Sequence, residues 1–262
     1  MLRILWNGRS AMMAQQDKLD CISQNMANVN TEGYKKVEVS FKDLMTETLD
    51  RRGYPVNKGD NKNLITGTGV RTGAWMRNND KGSLINTGVS TDLAIDGKGY
   101  FRVRNSKGET RYIRSGSFNI DNNGDLVDKN GNRLVIQYKE DIEEIPKFTK
   151  DNLIIKDDGT IFIKESSPSG SISKEVGKIN VYSAIGDDSF LSVGDNLYMP
   201  ENGVNPTIIN SGIVQGYVEG SNVDASKEMT DMIMAQRAFE FGSKAVKAAD
   251  EMWSIVNNMR GK

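Results

Sequence analysis

The stretch from residue 229 to residue 259, MTDMIMAQRAFEFGSKAVKAADEMWSIVNNM, repeats with a period of seven. Met232, Phe239, Val246 and Trp253 recur at that spacing, and Ala235, Gly242, Ala249 and Val256 follow them at an offset of three. Such a pattern keeps one seam of an α-helix apolar over several turns while the rest stays polar, so the helix requires another helix as its partner. The start of the chain repeats the arrangement. Leu5, Met12, Leu19 and Met26 recur every seventh residue, with Gly8, Gln15, Ile22 and Val29 at the same offset of three. The spacing predicts long N- and C-terminal α-helices that pair as a coiled-coil assembly domain. Its expected assembly seam is Leu5, Met12, Leu19, Ile22, Met26, Val29, Met232, Ala235, Phe239, Gly242, Val246, Ala249, Trp253 and Val256.

Ala235, Ala238, Gly242, Ala245 and Ala249 keep one sector of the second helix thin, which lets a neighbouring helix approach. Gly242 costs up to about 1 kcal/mol against alanine in a helix interior, so its place on the seam points to a steric need. Ser221 or Asn222 is expected to cap the entry turn, and the acids of 224–228 sit where unsatisfied N–H groups favour negative charge.

Composition narrows the function. At 262 residues and 37% hydrophobic, the chain is lean for an enzyme of its size, and part of it is expected to be extended or incompletely packed as a monomer. Its 34 basic and 35 acidic residues are mixed along the chain and leave a net charge of -1, so there is no electrostatic footprint for nucleic acid. No apolar run approaches the roughly 20 residues of a bilayer span. The opening MLRILWNGRSAMMAQQDKLD turns polar too early for a cleavable secretory signal. The expectation is a cytoplasmic protein, or one exported by a route that uses no such signal.

The chain contains no histidine, so a Ser-His-Asp triad, a Cys-His pair and an HExxH zinc site cannot be built. Cys21 is the only cysteine, which excludes an intrachain disulfide and any Cys-based zinc cluster; it reads as a small helix side chain. The plentiful carboxylates single out no catalytic pair. No catalytic residue, metal site or cofactor is expected.

Between the helices the period changes. After a helix running to about Asn28, the turn NVNTEGYKK carries Gly33, which can take a positive φ that other residues resist. Val37, Val39 and Phe41 alternate as an extended segment, and Phe41 to Leu49 reads as a short amphipathic helix or a loop. The Gly-, Asn- and Lys-rich stretch 51–73 reads as a long linker or surface arm. From Leu84 to Ile136 a period of two marks short strands separated by NSKGE, DNNGD and DKNGN, which supply tight hairpin turns. Asp121, Asn123 and Asp125 imitate a calcium loop, but Leu126 and Asn132 stand where that loop needs Gly and Glu, so a hairpin turn is expected. Further strands are expected at 153–156, 160–164 and 177–185, with SSPSGS at 166–171 as an exposed tip. No crossover helices appear, which favours a small antiparallel barrel or sandwich. The expected division is 1–35, N-terminal coiled-coil helix and turn; 36–83, extended arm and linker; 84–215, β-rich outer domain; and 216–262, C-terminal helix pairing with the first.

Three ordered sets of motifs carry a resemblance. The first is Gln15-Gln16, Leu19-Asp20, Ile22, Asn25, Ala27-Asn28-Val29-Asn30-Thr31 and Gly33-Tyr34-Lys35-Lys36. The second comprises Gly67-Thr68-Gly69-Val70-Arg71, Gly82-Ser83-Leu84, Asp92-Leu93-Ala94-Ile95, Gly97-Lys98-Gly99-Tyr100-Phe101 and Arg114-Ser115-Gly116-Ser117-Phe118. The third is QGYVEGSNVDASKEMTDMIMAQRAFE, residues 215–240. In these the chain resembles the bacterial flagellar rod and hook protein family, and within it the distal-rod type. Tyr34 stands where phenylalanine is frequent, and 141–173 lacks an equally recognisable signature.

The resemblance implies a structural, self-polymerising subunit of a helical axial tube that transmits torque from motor to hook. Its coiled-coil termini would line the inside and its β domain would lie outside. It also implies neighbouring rod and hook proteins as partners, passage through the flagellar export apparatus to the basal body, and an extension at 46–71 that stiffens subunit packing. The alternative is an envelope-associated β-domain binding module whose terminal helices only dimerise.

Overall fold

The computed structural model describes residues 2–44, 46–48, 65–139, 147–167, 170–186 and 189–260. The chain folds as two compact units. One combines Met1–Ala27, Val37–Met76 and Asp224–Lys262; the other combines Asn28–Lys36 and Arg77–Val223.

In the first unit, helix α1 spans Leu2–Ala27 and helix α2 spans Ala225–Arg260. They run antiparallel, since Gly8 faces Val246, Met12 faces Gly242 and Asn25 bonds Glu228. The cap of α2 is Asp224, whose Oδ1 accepts the backbone N–H groups of Ser226 at 2.9 Å and Lys227 at 3.2 Å. A carboxylate there satisfies orphan donors and complements the positive end of the helix dipole. The two residues expected as caps do other work. Asn222 is used within the second unit, accepting from Lys36 N at 2.6 Å and donating to Asn78 O at 3.0 Å. Ser221 Oγ accepts from Val223 N at 3.3 Å.

Beside the helices, strand Val37–Asp43 pairs with Val70–Arg77, and Thr46–Thr48 pairs antiparallel with Ile65–Gly67. The short helix or loop expected at Phe41 to Leu49 is therefore strand at 41–43 and 46–48. The alternation of Val37, Val39 and Phe41 carries on because a partner strand supplies its backbone hydrogen bonds. The linker expected at 51–73 likewise gives way to strand from Ile65 onward, and 51–64 lies outside the described residues.

The second unit is antiparallel throughout its described pairings. Tyr100–Arg104 is central, pairing with Thr110–Ile113, with Arg133–Leu134 and with Val181–Ser183. The same sheet continues through Leu197–Pro200 to Phe190–Gly194 on one side and through Leu126–Val127 to Asn119–Ile120 on the other. A second sheet has the order Ile136–Tyr138, Gly170–Ile179, Thr160–Ser167, Leu153–Ile155. Phe101, Val103, Phe118 and Leu126 of the first sheet and its connections share one core with Leu153, Ile161, Val176 and Ile179 of the second. Phe101 and Phe118 meet edge to face, 5.7 Å between centroids.

The three hairpin turns form where Asn, Asp and Gly were read. Asn105 N donates to Glu109 O at 3.0 Å, Asp121 N to Asp125 O at 2.9 Å and Asp128 N to Asn132 O at 2.9 Å. In the calcium-like loop, Asp121 accepts from Asn123 at 3.2 Å and Asp125 pairs with Arg133 at 3.2 Å, so these carboxylates secure a turn. The strands between Phe190 and Glu219 went unread because they are short and interrupted by Gly, Pro and Asn. No helix among the described residues is long and apolar enough to cross a membrane.

Candidate functional site: helix seam and motif junction

The antiparallel pair brings two glycines against large side chains. A Cβ on Gly8 would lie 2.7 Å from Val246 Cγ2, and one on Gly242 would lie 2.9 Å from Met12 Cγ. Real Cβ atoms do not approach so closely, so each glycine makes room for the side chain facing it. The steric need read at Gly242 is thus met inside one subunit, by Met12 of the same chain.

Of the other expected seam residues, Ile22, Ala235 and Ala249 are buried, while Leu5, Leu19, Met26, Met232 and Phe239 are partly covered. Trp253 and Val256, further along α2, are half exposed. Val29 lies past the end of α1, in the turn of the second unit, and does not continue the stripe on that helix.

A polar clamp missed by the apolar pattern closes the other end of the pair. Asn25 Nδ2 donates to Glu228 Oε2 at 3.2 Å and to Val37 O at 2.9 Å, while Asn25 Oδ1 accepts Val37 N at 3.0 Å. Cys21 Sγ donates to the same Val37 carbonyl at 3.0 Å, so it is a buried structural thiol. Buried amides and carboxylates are tolerated only when bonded in this way. Further along α1, Ser10 Oγ accepts Val70 N at 3.3 Å and Thr72 Oγ1 donates to Asp17 at 2.6 Å, tying a strand to the helix.

In the second unit, the three sets of motifs meet at one buried carboxylate. Glu219 is 1% exposed, and its Oε1 accepts Lys35 Nζ at 2.7 Å and Gly82 N at 2.8 Å. Its Oε2 takes the Nε of Arg114. The Arg114 guanidinium also donates to the carbonyls of Gly99, Ile95 and Gly97. Gly33 donates its N–H to Glu219 O at 2.7 Å and has a φ of 68°. A side chain there would strike the Ser115 backbone as well as strain its own.

Burial alone would raise the Glu219 pKa, but Arg114 and Lys35 together outweigh it and hold the carboxyl below its usual range. Lys35 is also lowered, first by burial and then by Arg114, which its bond to Glu219 only partly offsets. Arg114 acts on both groups, holding the carboxyl down by attraction and adding repulsion to the burial that lowers the ammonium. Sequence reasoning quoted Lys35, Arg114 and Glu219 without joining them. Arg114 alone stood out, as the single charge in 114–118, while Lys35 and Glu219 sit among other charged residues of their motifs.

An antiparallel helix pair forms one unit, and an antiparallel β unit organised by a buried ionic junction forms the other; neither presents a catalytic constellation among the described residues. Comparisons with known proteins take the assignment further. Three family descriptions match in chain order: "Flagella basal body rod protein" over 5–35, "Flagellar hook protein FlgE/F/G D1 domain" over 94–163, and "Flagellar basal body rod FlgEFG protein C-terminal" over 214–259. The flagellar basal-body rod protein FlgG of Borreliella burgdorferi is 33% identical across 99% of this chain and 99% of its own length. FlgG of Bacillus subtilis is 33% identical across 99% of this chain and 100% of its own. The flagellar hook protein FlgE of Helicobacter mustelae is 37% identical, over 58% of this chain and 34% of its own. The chain belongs to the flagellar basal-body rod protein family, in its FlgG, distal-rod branch. It is accordingly a structural component of the basal body and not an enzyme, and the alternative of an envelope-associated binding module falls away.

Proposed function

We propose that the subunits polymerise through α1 and α2 into a helical tube, with the β unit outside, and that the tube transmits torque mechanically from motor to hook. The observation that carries this reading is the second apolar face of the helix pair. Pairing uses one stripe, yet Trp6 is 62% exposed, Phe241 68% and Met259 76%, with Met13, Ile233, Met234 and Ile255 also largely open. Exposed apolar surface of this extent marks an interaction site. Copies of the chain are its natural cover, because the relatives that match along their full length are named for the basal-body rod.

In this reading the flanking contacts are with other rod and hook proteins, and the flagellar export apparatus delivers the chain beyond the cytoplasmic membrane. The segment 46–71 would serve as an extension that stiffens packing between subunits, and residues 36–83 as the arm that carries it. The seam residues from Leu5 to Met26 and from Met232 to Ala249 would hold the pair closed, and Trp253 and Val256 would carry its stripe toward a neighbour.

The test is Phe241→Glu, a change on the open face. Sedimentation and electron microscopy should show loss of polymer while circular dichroism retains the helices. Polymers as abundant as those of the unaltered chain would contradict this use of the open face.

A further inference from the structure

Six methionines are exposed among the described residues: Met13, Met76, Met229, Met234, Met252 and Met259. All six belong to the unit that contains the helix pair. Three of them line up with Phe241. Counted along α2 from Met234, Phe241 lies 7 residues on, Met252 18 and Met259 25. At about 3.6 residues per turn these steps are close to two, five and seven whole turns, so the four side chains leave the helix on one side. Their exposure runs from 43% at Met252 to 76% at Met259. The seam toward α1 follows a different line, through Ala235, Gly242 and Ala249.

A thioether is apolar until its sulfur gains an oxygen, and the resulting sulfoxide is polar, chiral and disruptive to packed interfaces. Susceptibility follows exposure. The chain's one thiol is out of reach, since Cys21 is 3% exposed and donates to Val37 O at 3.0 Å. Oxidant therefore falls on the thioethers, and the aligned three sit on the face that the helix pair leaves open.

We propose that this face of α2 is an oxidation-sensitive assembly surface: hydrogen peroxide converts Met234, Met252 and Met259 to sulfoxides, and the oxidised chain no longer polymerises. The block on assembly rests on the polymer reading above. In the step, a sulfur lone pair attacks one peroxide oxygen, an S–O bond forms and the O–O bond breaks. The thioether loses two electrons to the leaving hydroxide, which takes the proton of the transferred oxygen and departs as water. Each sulfoxide then brings a polar oxygen to a surface that must shed water to pack. Because the three sulfurs lie off the seam, the helix pair within the subunit stays closed. Methionine sulfoxide reductases, one for each epimer, reverse the change, releasing the oxygen as water while a dithiol becomes a disulfide.

The full-length chain treated with hydrogen peroxide, then with catalase, tests this. Peptide mass spectrometry should find sulfoxide at Met234, Met252 and Met259 several-fold sooner than at Met12 and Met26, which are partly covered. The protein concentration needed for polymer should rise at least tenfold with helicity unchanged by circular dichroism, and both reductases with dithiothreitol should bring it back. Met234→Leu, Met252→Leu and Met259→Leu combined keep bulk and apolarity without an oxidisable sulfur, so that variant should polymerise equally well before and after peroxide. Normal assembly of chains carrying the three sulfoxides, helicity lost on oxidation, or a triple variant as peroxide-sensitive as the unaltered chain would overturn the proposal. Should the triple variant fail to assemble untreated, the reductases decide, because polymer that they do not restore overturns it as well. The polymer reading is scored separately, by whether the untreated unaltered chain assembles. Its failure would remove the block on assembly, whereas the sulfoxide map reads the face by itself.

Discussion

Lys35 and Glu219 lie 184 residues apart in sequence and 2.7 Å apart in the fold. The bond joins a turn that follows the first helix to a strand that precedes the second. Arg114 reaches the same carboxylate from the middle of the chain, so one residue couples all three stretches. Removing one partner of such a cluster leaves buried charge without compensation, which costs about 3–5 kcal/mol. Glu219→Gln should therefore destabilise the β unit by that order, read from denaturant unfolding of its β signal. A loss below about 1 kcal/mol would show that the junction is not what holds these segments.

Acid should act through the same residue. The Glu219 carboxyl is held below its unfolded value of 4.5, so its contribution is fully present above that pH and is lost as pH falls through the folded value. Unfolding free energy of the β unit should fall on acidification, and Glu219→Gln should flatten that dependence. In alkali Tyr100 contributes, its pKa pushed up to about 12, first by burial and then by Tyr198. Its contribution is present below the unfolded value of 10.0 and is lost as pH rises through about 12. Tyr100→Phe should reduce the loss of stability in that window.

Gly242→Leu should open the helix pair in the isolated subunit, before any assembly step. The added side chain meets Met12 of the same chain, and overpacking of this kind costs about 1–3 kcal/mol. Helicity measured by circular dichroism should drop, and Met12→Ala in the Gly242→Leu background should restore part of it. Unchanged helicity in the isolated Gly242→Leu chain would move the steric need to the interface between copies.

Asn25→Ala removes a side chain that satisfies both backbone groups of Val37 and one oxygen of Glu228. Leaving a buried polar group unmet costs about 1–3 kcal/mol. Thermal unfolding of the helix pair should shift down, and amide exchange at Val37 should quicken by at least tenfold. Val37 protection equal to that of the unaltered chain would remove Asn25 from this role.

The heptads were legible because helix pairing depends on side-chain period. Residues 229–259 show it plainly, and the structure pairs them with α1. Hairpin turns were legible for a similar reason, since Asn, Asp and Gly at 121–125 and 128–132 answer a local backbone demand. What stayed hidden depends on partners distant in sequence. Residues 41–43 and 46–48 are strand because Val70–Arg77 and Ile65–Gly67 pair with them, and nothing local announces that. Asn25 stands in the first set of motifs, but its partners Val37 and Glu228 have no local sign in the sequence. Lys35, Arg114 and Glu219 are three unremarked charges until the strands bring them together.

The central claim is that the apolar face left open by the helix pair is buried between subunits. A cysteine introduced by Phe241→Cys measures this directly, since the native Cys21 is 3% exposed and should react slowly. Its alkylation rate should be high in the isolated chain and at least tenfold lower in the polymer. Equal rates in both states would mean that the face remains open after assembly, and the account of the tube built on it would be wrong.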